Sequence, residues 1–287
     1  MITRIGAAAA HFGRDVERGV AKIIGIVEAA RRDGVDLLVL PGASLGGYLG
    51  DLRHPSQHEL PPALDRDGPE IAVIARSAGP LVVCVGFCER ADDHDATGRR
   101  FNAAVCVSGD GVLGHHRKVH QPAGEYLAYD AGDRFAAFDT PVGRLGMVID
   151  YDKTFPESTR TLALDGARIV AALSAWPASV TDRAARMVQD RQSRLFDLYD
   201  MARAAENQVV LASSNQTGIF GGLRFLGQAK VVGPGGEVLS KTWSKGALAV
   251  ADLDVDAEVD RARRVLRHLE ERRPDAYRHL LTDKVER

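Results

Sequence analysis

The chain has little of what marks a secreted, membrane-spanning or nucleic-acid-binding protein. No stretch approaches the ~18 apolar residues that a spanning helix needs. After Met1 the sequence reaches His11, Arg14 and Asp15 too soon for the apolar core of a signal peptide. Charge of one sign is also lacking: 37 Lys and Arg stand against 39 Asp and Glu, a formal net charge of −2. Such a balance offers no electrostatic pull toward nucleic acid or an anionic membrane, and neither is expected as a partner. Cysteine is scarce and odd in number, with Cys84, Cys88 and Cys106 alone in 287 residues. That excludes a disulfide framework and fits a reducing cytoplasm.

Metal and cofactor signatures are missing too. Cys84 and Cys88 fall in the apolar run from Leu81 to Cys88, where small core residues are the plain reading. His115, His116 and His120 cluster locally, but no Asp or Cys accompanies them at ligand spacing, so no metal is expected. Gly233-Pro234-Gly235-Gly236 lacks the Lys-Ser/Thr ending of a phosphate loop and reads as a turn between strands. No cofactor is expected.

What is present is an alternation of short apolar runs and amphipathic segments. Strands are expected at Ile5 to Ala10, Leu37 to Leu40, Leu81 to Cys88, Phe101 to Val107, Gly111 to Arg117, Phe135 to Asp139 and Gly143 to Ile149. Further strands are expected at Ile169 to Leu173, Val209 to Ser214, Gln228 to Val232, Val238 to Leu239 and Leu248 to Leu253. Val16, Val20, Ile23, Ile24 and Val27 recur at helical spacing, and other helices are expected from Pro69 to Ala78, from Pro156, and from about Asp182 to Asn207. Several consecutive strands are joined by Gly- and Asp-rich turns, which points to mixed sheets in a layered α/β sandwich. No linker or repeat divides the chain, so 1–287 is read as one domain.

Four segments carry a resemblance. They are Leu37-Leu38-Val39-Leu40-Pro41-Gly42 with Gly46-Gly47-Tyr48, and His116-Arg117-Lys118-Val119-His120-Gln121-Pro122 with Glu125. Gly143 to Asp152 with Phe155-Pro156-Glu157 is the third. The last comprises Ser174-Ala175-Trp176-Pro177, Ala202 to Asn207 and Ser214 to Gly218. In this order and spacing the chain resembles the nitrilase superfamily of carbon–nitrogen hydrolases, among its amidases and carbamoylases. The resemblance implies a four-layer αββα sandwich that pairs with a second copy into an eight-layer αββααββα homodimer or a higher oligomer. The tail from about residue 256 is then expected at the dimer interface, and a small molecule as substrate or ligand.

In that family a Glu after the first Pro is the general base, a Lys stabilises the oxyanion and a Cys attacks the carbon. Lys118 matches the lysine and Glu125 an accessory glutamate, whereas Gly42 stands at the base position and Asp150 at the nucleophile's. The candidate catalytic residues are therefore Lys118, Asp150 and Glu125, and the candidate substrate-binding residues Gly42, Tyr151, Trp176 and Asn215. Asp150 is expected within salt-bridge distance of Lys118, as the carboxylate that replaces the lost Glu. Gly42 is expected to leave room beside Lys118. Three functions follow from this site: a retooled non-thiol enzyme on a small nitrogenous or carboxylated substrate; an inactive homologue that binds a ligand or a protein; or a residual amidase-type hydrolase working by water activation.

Overall fold

The computed structural model describes residues 1–91, 98–243 and 246–277. Its strands are β1 (Ile2–Ala10), β2 (Leu37–Val39), β3 (Val82–Arg90), β4 (Arg100–Ser108), β5 (Gly111–Arg117), β6 (Phe138–Thr140) and β7 (Gly143–Ile149). They continue with β8 (Ile169–Ser174), β9 (Val210–Gln216), β10 (Ile219–Phe220), β11 (Leu223–Arg224), β12 (Ala229–Val232), β13 (Val238–Thr242) and β14 (Leu248–Asp254). The helices are α1 (Val16–Arg32), α2 (Pro69–Ala78), α3 (Pro156–Leu164), α4 (Arg191–Asn207) and α5 (Val255–Val265).

One sheet has the order β5-β4-β3-β2-β1-β14, parallel across β3-β2-β1 and antiparallel elsewhere. The other has the order β6-β7-β8-β9-β12-β13, parallel across β7-β8-β9. They meet where Ala9 and Ala10 of β1 pair with Asn215 and Gln216 of β9. Alternate side chains of the central strands point to opposite faces. Ile5, Leu37, Val39, Val82, Cys84 and Cys106 therefore pack from the first sheet against Met147, Ile149, Ala171, Leu173 and Ala212 of the second.

The outward faces take the helices. Ile23 and Val27 of α1 and Ile71 and Ile74 of α2 cover Leu38, Val83 and Val85. Leu162 and Ala163 of α3 and Ala204 of α4 cover Val148, Val170, Ala172 and Leu211. The result is the four-layer αββα sandwich. Each layer hides one apolar face, and the two sheets are apolar on both, which is why their strands read as unbroken hydrophobic runs.

Two elements start later than the sequence expectation for a visible reason. α4 begins at Arg191, not near Asp182, because Asp190 serves as its cap: the Asp190 carboxylate accepts from Gln192 N and also from Ser179 N and Oγ. β6 begins at Phe138, because Phe135 is drawn off to stack on the His116 ring at 5.2 Å. In the tail, Val255 and Val259 of α5 pack into the inter-sheet core of their own chain, and Gln208 Nε2 donates to the carbonyls of Ala262 and Leu266. The segment 278–287, also part of the expected interface tail, lies outside the described residues. Among the described residues no helix is long and apolar enough to cross a membrane.

Candidate active site

Strands β2, β5, β7, β8 and β9 bring their carboxyl ends to one edge of the sandwich, the usual place for a site in an α/β sheet. Lys118 follows β5 directly, and Asp150 follows β7. Asp150 holds a left-handed backbone with φ +45°, uncommon for a residue with a side chain. This sharp turn swings its carboxyl out of the sheet. Glu125 sits on a short 3-10 turn, Glu125–Leu127, after the Lys118 loop.

The three converge. Lys118 Nζ donates to Glu125 Oε2 at 2.6 Å and lies 3.5 Å from Asp150 Oδ2. The expected salt-bridge distance between Asp150 and Lys118 is thus met. Lys118 and Glu125 are fully buried, and Asp150 is 5% exposed. Glu125 is saturated: its other oxygen accepts from Tyr48 Oη and from Asn102 Nδ2, both at 2.9 Å. Burial alone would lower the Lys118 ammonium, but Glu125 and Asp150 outweigh it and hold the group above its ordinary value.

Asp150 differs from Glu125. Its Oδ1 accepts from Ala175 N at 2.5 Å, while among the described residues none hydrogen-bonds to the buried Oδ2. Burial pushes the carboxyl up to about 6, with Glu125 adding to the rise and Lys118 opposing it. An unfolded aspartate titrates near ~3.9. Ionised Asp150 therefore weighs against folding: its contribution is best below pH ~4, worsens as pH rises to about 6, and is flat above. Asp150→Asn, which keeps the neutral shape, should be more stable than the parent by roughly 2–3 kcal/mol at pH 8 and equal to it near pH 4. Urea titrations at both pH values check this, and a less stable variant at pH 8 would refute the burial argument.

Asp152, two residues on, ties the Asp150 turn to the Lys118 loop. It accepts from Ile149 N on one side and from Val119 N and His120 N on the other, and from His116 Nε2 and His120 Nδ1 at 3.0 Å each. Burial opposes its charge, yet the hydrogen bonds from His116 and His120 hold its carboxyl well below the usual range. The histidines that cluster in the sequence are therefore consumed by carboxylates, His115 by Glu89 at 2.7 Å. The carboxylate partner was not legible from spacing, because Asp152 comes from a different sheet. Among the described residues no group of three His, Cys, Asp or Glu could hold a metal ion.

A cleft of about 300 Å³ opens on Asp150. Its wall includes Leu52, Pro122, Tyr151, Trp176 and Pro177, with Arg53 and Gln192 as polar members. Tyr151 and Trp176 are thus on the cleft. Trp176 is held by Nε1 donating to Gln192 Oε1 and by contact with Phe196. Behind Phe196, Lys153 and Lys230 share Asp200 at 2.6 and 2.5 Å, all three fully buried. Asn215 is not on the cleft: fully buried, it pins the Trp176 backbone, accepting from Trp176 N and donating to Trp176 O.

Gly42 is not on the cleft wall either. The room expected beside Lys118 is not found there, because a Cβ at Gly42 would lie 3.1 Å from Leu173 O and 3.2 Å from Ala175 N. The Gly42 segment is drawn against the end of β8 by Gly42 N donating to Ser174 O. Open space lies instead in the cleft that Asp150, Tyr151 and Trp176 line. Tyr48 and Asn102 complete the buried cluster. Asn102 passed unnoticed in the sequence, though a lone amide in the apolar run Phe101 to Val107 is the signal that a buried polar partner awaits it.

Residues 4–264 match the carbon–nitrogen hydrolase family. The chain belongs to that family. It is 29% identical over 243 residues to a nitrilase of Pyrococcus abyssi, covering 83% of this chain and 84% of the other. It is 28% identical over 286 residues to an N-carbamoylputrescine amidase of Solanum tuberosum, covering 93% and 91%. Among solved structures, a carbon–nitrogen hydrolase of Helicobacter pylori G27 superposes with a TM-score of 0.82 at 24% identity, over 98% and 99% of the two chains. An amidase of Nesterenkonia sp. AN1, solved as a double mutant with acrylamide, superposes with a TM-score of 0.76 at 25% identity, over 97% of each.

That amidase is described with an active-site cysteine. In the present chain all three thiols are buried. Cys84 and Cys106 face the inter-sheet core, and Cys88 packs on Leu49, Ala128 and Tyr129. None lines the Asp150 cleft. Burial pushes the Cys88 thiol up to about 12, and Cys106, hydrogen-bonded with Cys84, also rises well above its usual value. Thiols so placed are inert packing groups.

Proposed function

We propose that this member of the carbon–nitrogen hydrolase family takes a small nitrogenous or carboxylated molecule into the Asp150 cleft and moves a proton there, without covalent thiol chemistry. Asp150 stands in place of the family's nucleophile and Gly42 in place of its base. A carboxylate is a poor nucleophile toward an unactivated amide, and the anhydride it would form is high in energy. Proton transfer is the chemistry that suits it.

The observation that carries this reading is the Asp150 carboxyl on the cleft, whose Oδ2 accepts no hydrogen bond and lies 3.5 Å from Lys118 Nζ. A carboxyl pushed up to about 6 exchanges its proton readily near neutral pH. Burial sets that value, and the charge of Lys118 keeps it from rising further. Glu125, held by three donors, acts as the positioning residue for Lys118.

The test is a thermal-shift screen of small amides, ureas, carboxylates and amino-acid derivatives on the parent and on Asp150→Asn, followed by NMR of each hit in D2O. One ligand class should stabilise the parent alone and then exchange deuterium or turn over. A second reading, a ligand-binding module, is favoured by the sealed Lys118–Glu125 pair, which is fully buried. Binding without exchange or turnover would select it.

Pairing with a second copy belongs to the same proposal. Its support is the apolar surface of Leu198 and Met201 on α4, 58% and 40% exposed, with Trp243 exposed at 41%. Light scattering on the purified chain should report a dimer, and Leu198→Glu should shift it toward monomer.

A further inference from the structure

The side chains on this cleft keep their acceptors occupied and leave donors open. Asp150 Oδ2 is sealed from solvent, with Lys118 Nζ 3.5 Å away, and Asp150 Oδ1 accepts from Ala175 N. Gln192 Oε1 accepts from Trp176 Nε1 at 3.0 Å. An indole N–H can only donate, so this bond fixes which end of the Gln192 amide is which. The free end is Nε2, a donor. Among the described residues neither Gln192 Nε2 nor Tyr151 Oη has an acceptor, and neither atom is sealed. Tyr48 Oη and Ser179 Oγ, also on the wall, donate to Glu125 and Asp190 instead. A ligand that enters with acceptor oxygens therefore finds donors. One that enters with N–H groups finds, among these side chains, only the Tyr151 hydroxyl to accept them.

Arg53 adds a charge of matching sign. Of the charged side chains that line the cleft, Asp150 is buried and Arg53 is exposed at the mouth, so an entering ligand meets the positive charge first. Among the described residues the Arg53 guanidinium has no ion-pair or hydrogen-bond partner. Asp51, two residues before it, accepts instead from the backbone N–H of Arg53 at 2.7 Å and of His54 at 3.3 Å. From the other side Gly124 N donates to Leu52 O at 2.7 Å, in an approach so close that a Cβ at Gly124 would collide with Arg53 O. The backbone under Arg53 is thus set before a ligand arrives. Only the side chain is left to order, which lowers the cost of binding.

We propose that this cleft selects a small carboxylate, with Arg53 and Gln192 Nε2 as the donors to its oxygens and Arg53 as the residue that sets specificity. This rests on the reading of the Asp150 cleft as the ligand site, and it names the substrate class. The planar guanidinium fork suits a carboxylate better than a neutral amide. Held at the mouth, the carboxylate stays clear of the Asp150 charge, and its body lies against Leu52, Pro122, Trp176 and Pro177. The volume of about 300 Å³ limits that body to roughly a single ring or a short chain.

Benzoate, benzamide and benzylamine serve as probes of one ring and three head groups. Their binding to the full chain is measured by calorimetry at pH 7, in low and in high salt, for the parent and for Arg53→Gln, Arg53→Lys, Gln192→Leu and Asp150→Asn. Benzoate should bind the parent best, and more weakly in high salt, because Arg53 is exposed. Arg53→Gln should weaken benzoate about fivefold or more, abolish its salt dependence and leave benzamide unchanged. Arg53→Lys, which keeps the charge and loses the fork, should fall between. Gln192→Leu should also weaken benzoate, which places the binding in this cleft. Benzoate affinity that ignores Arg53→Gln, or a preference for benzamide or benzylamine, would overturn the carboxylate site. Loss of the preferred probe in Asp150→Asn would in that case leave the proposed function standing. Binding that ignores both Arg53 and Asp150, or none by any probe, would overturn both.

Discussion

Lys118→Ala should lower the stability of the folded chain by about 3–5 kcal/mol, the cost of stranding a buried ion pair's partner. The ammonium is fully buried, 2.6 Å from Glu125 and 3.5 Å from Asp150. Its removal leaves two carboxylates facing each other without a cation. They cannot both stay ionised, so one takes up a proton. Protons bound in the folded state raise stability at low pH, and the deficit of the variant should therefore shrink between pH 8 and pH 5. Urea midpoints at the two pH values measure it. A loss under ~1 kcal/mol, or one independent of pH, would mean that Lys118 does not hold this cluster together. Against a typical total stability of about 5–15 kcal/mol, the expected loss makes Lys118→Ala a poor control for ligand binding. Asp150→Asn is the better one.

Asp152→Ala should cost about 3–4 kcal/mol, since it leaves several buried donors without an acceptor at once. Three backbone amides and the rings of His116 and His120 all converge on this carboxylate. Its effect has a definite sign with pH. The Asp152 carboxyl is held below its unfolded value, so its contribution is complete above pH ~4 and is lost as pH falls below that. Thermal unfolding from pH 7 to pH 3 should show parent and variant converging in acid. A gap that stays constant would show that the clamp acts through shape alone. The variant should also weaken whatever ligand the cleft takes, because Asp152 ties the Asp150 turn to the loop that carries Lys118.

The layered fold was legible in the sequence because each layer leaves a periodic trace. Runs such as Leu81 to Cys88 mark strands buried on both faces, and Val16 to Val27 marks a helix with one apolar stripe. The meeting of Lys118, Glu125 and Asp150 was legible as well, because the motifs that carry them sit at strand ends. Side-chain direction beyond the motifs was not. Asn215 looked like a pocket residue from its place in the chain, yet it turns to the Trp176 backbone. Asp152 was assigned no role from the sequence, yet it collects His116 and His120 from the end of β5. Gly42 promised empty space, but the chain closed around the missing side chain. These are choices among hydrogen-bond partners distant in sequence, and they leave no local pattern. The start of α4 fell in the same class, since Asp190 caps a helix and holds Ser179 together.

β1 lies at the middle of one sheet and touches the other, yet its partner β14 is made almost last, with Ile2 opposite Asp254 and Ala8 opposite Leu248. At roughly 5–20 residues per second, synthesis leaves the hydrogen-bonding edge of β1 open for on the order of tens of seconds. During that time a nascent chain carries an exposed strand edge with the apolar run Ile5 to Ala10 behind it, a template for pairing with a neighbour. Yield in the cell should then depend on the rate of translation and on chaperone supply more than on the stability of the finished protein.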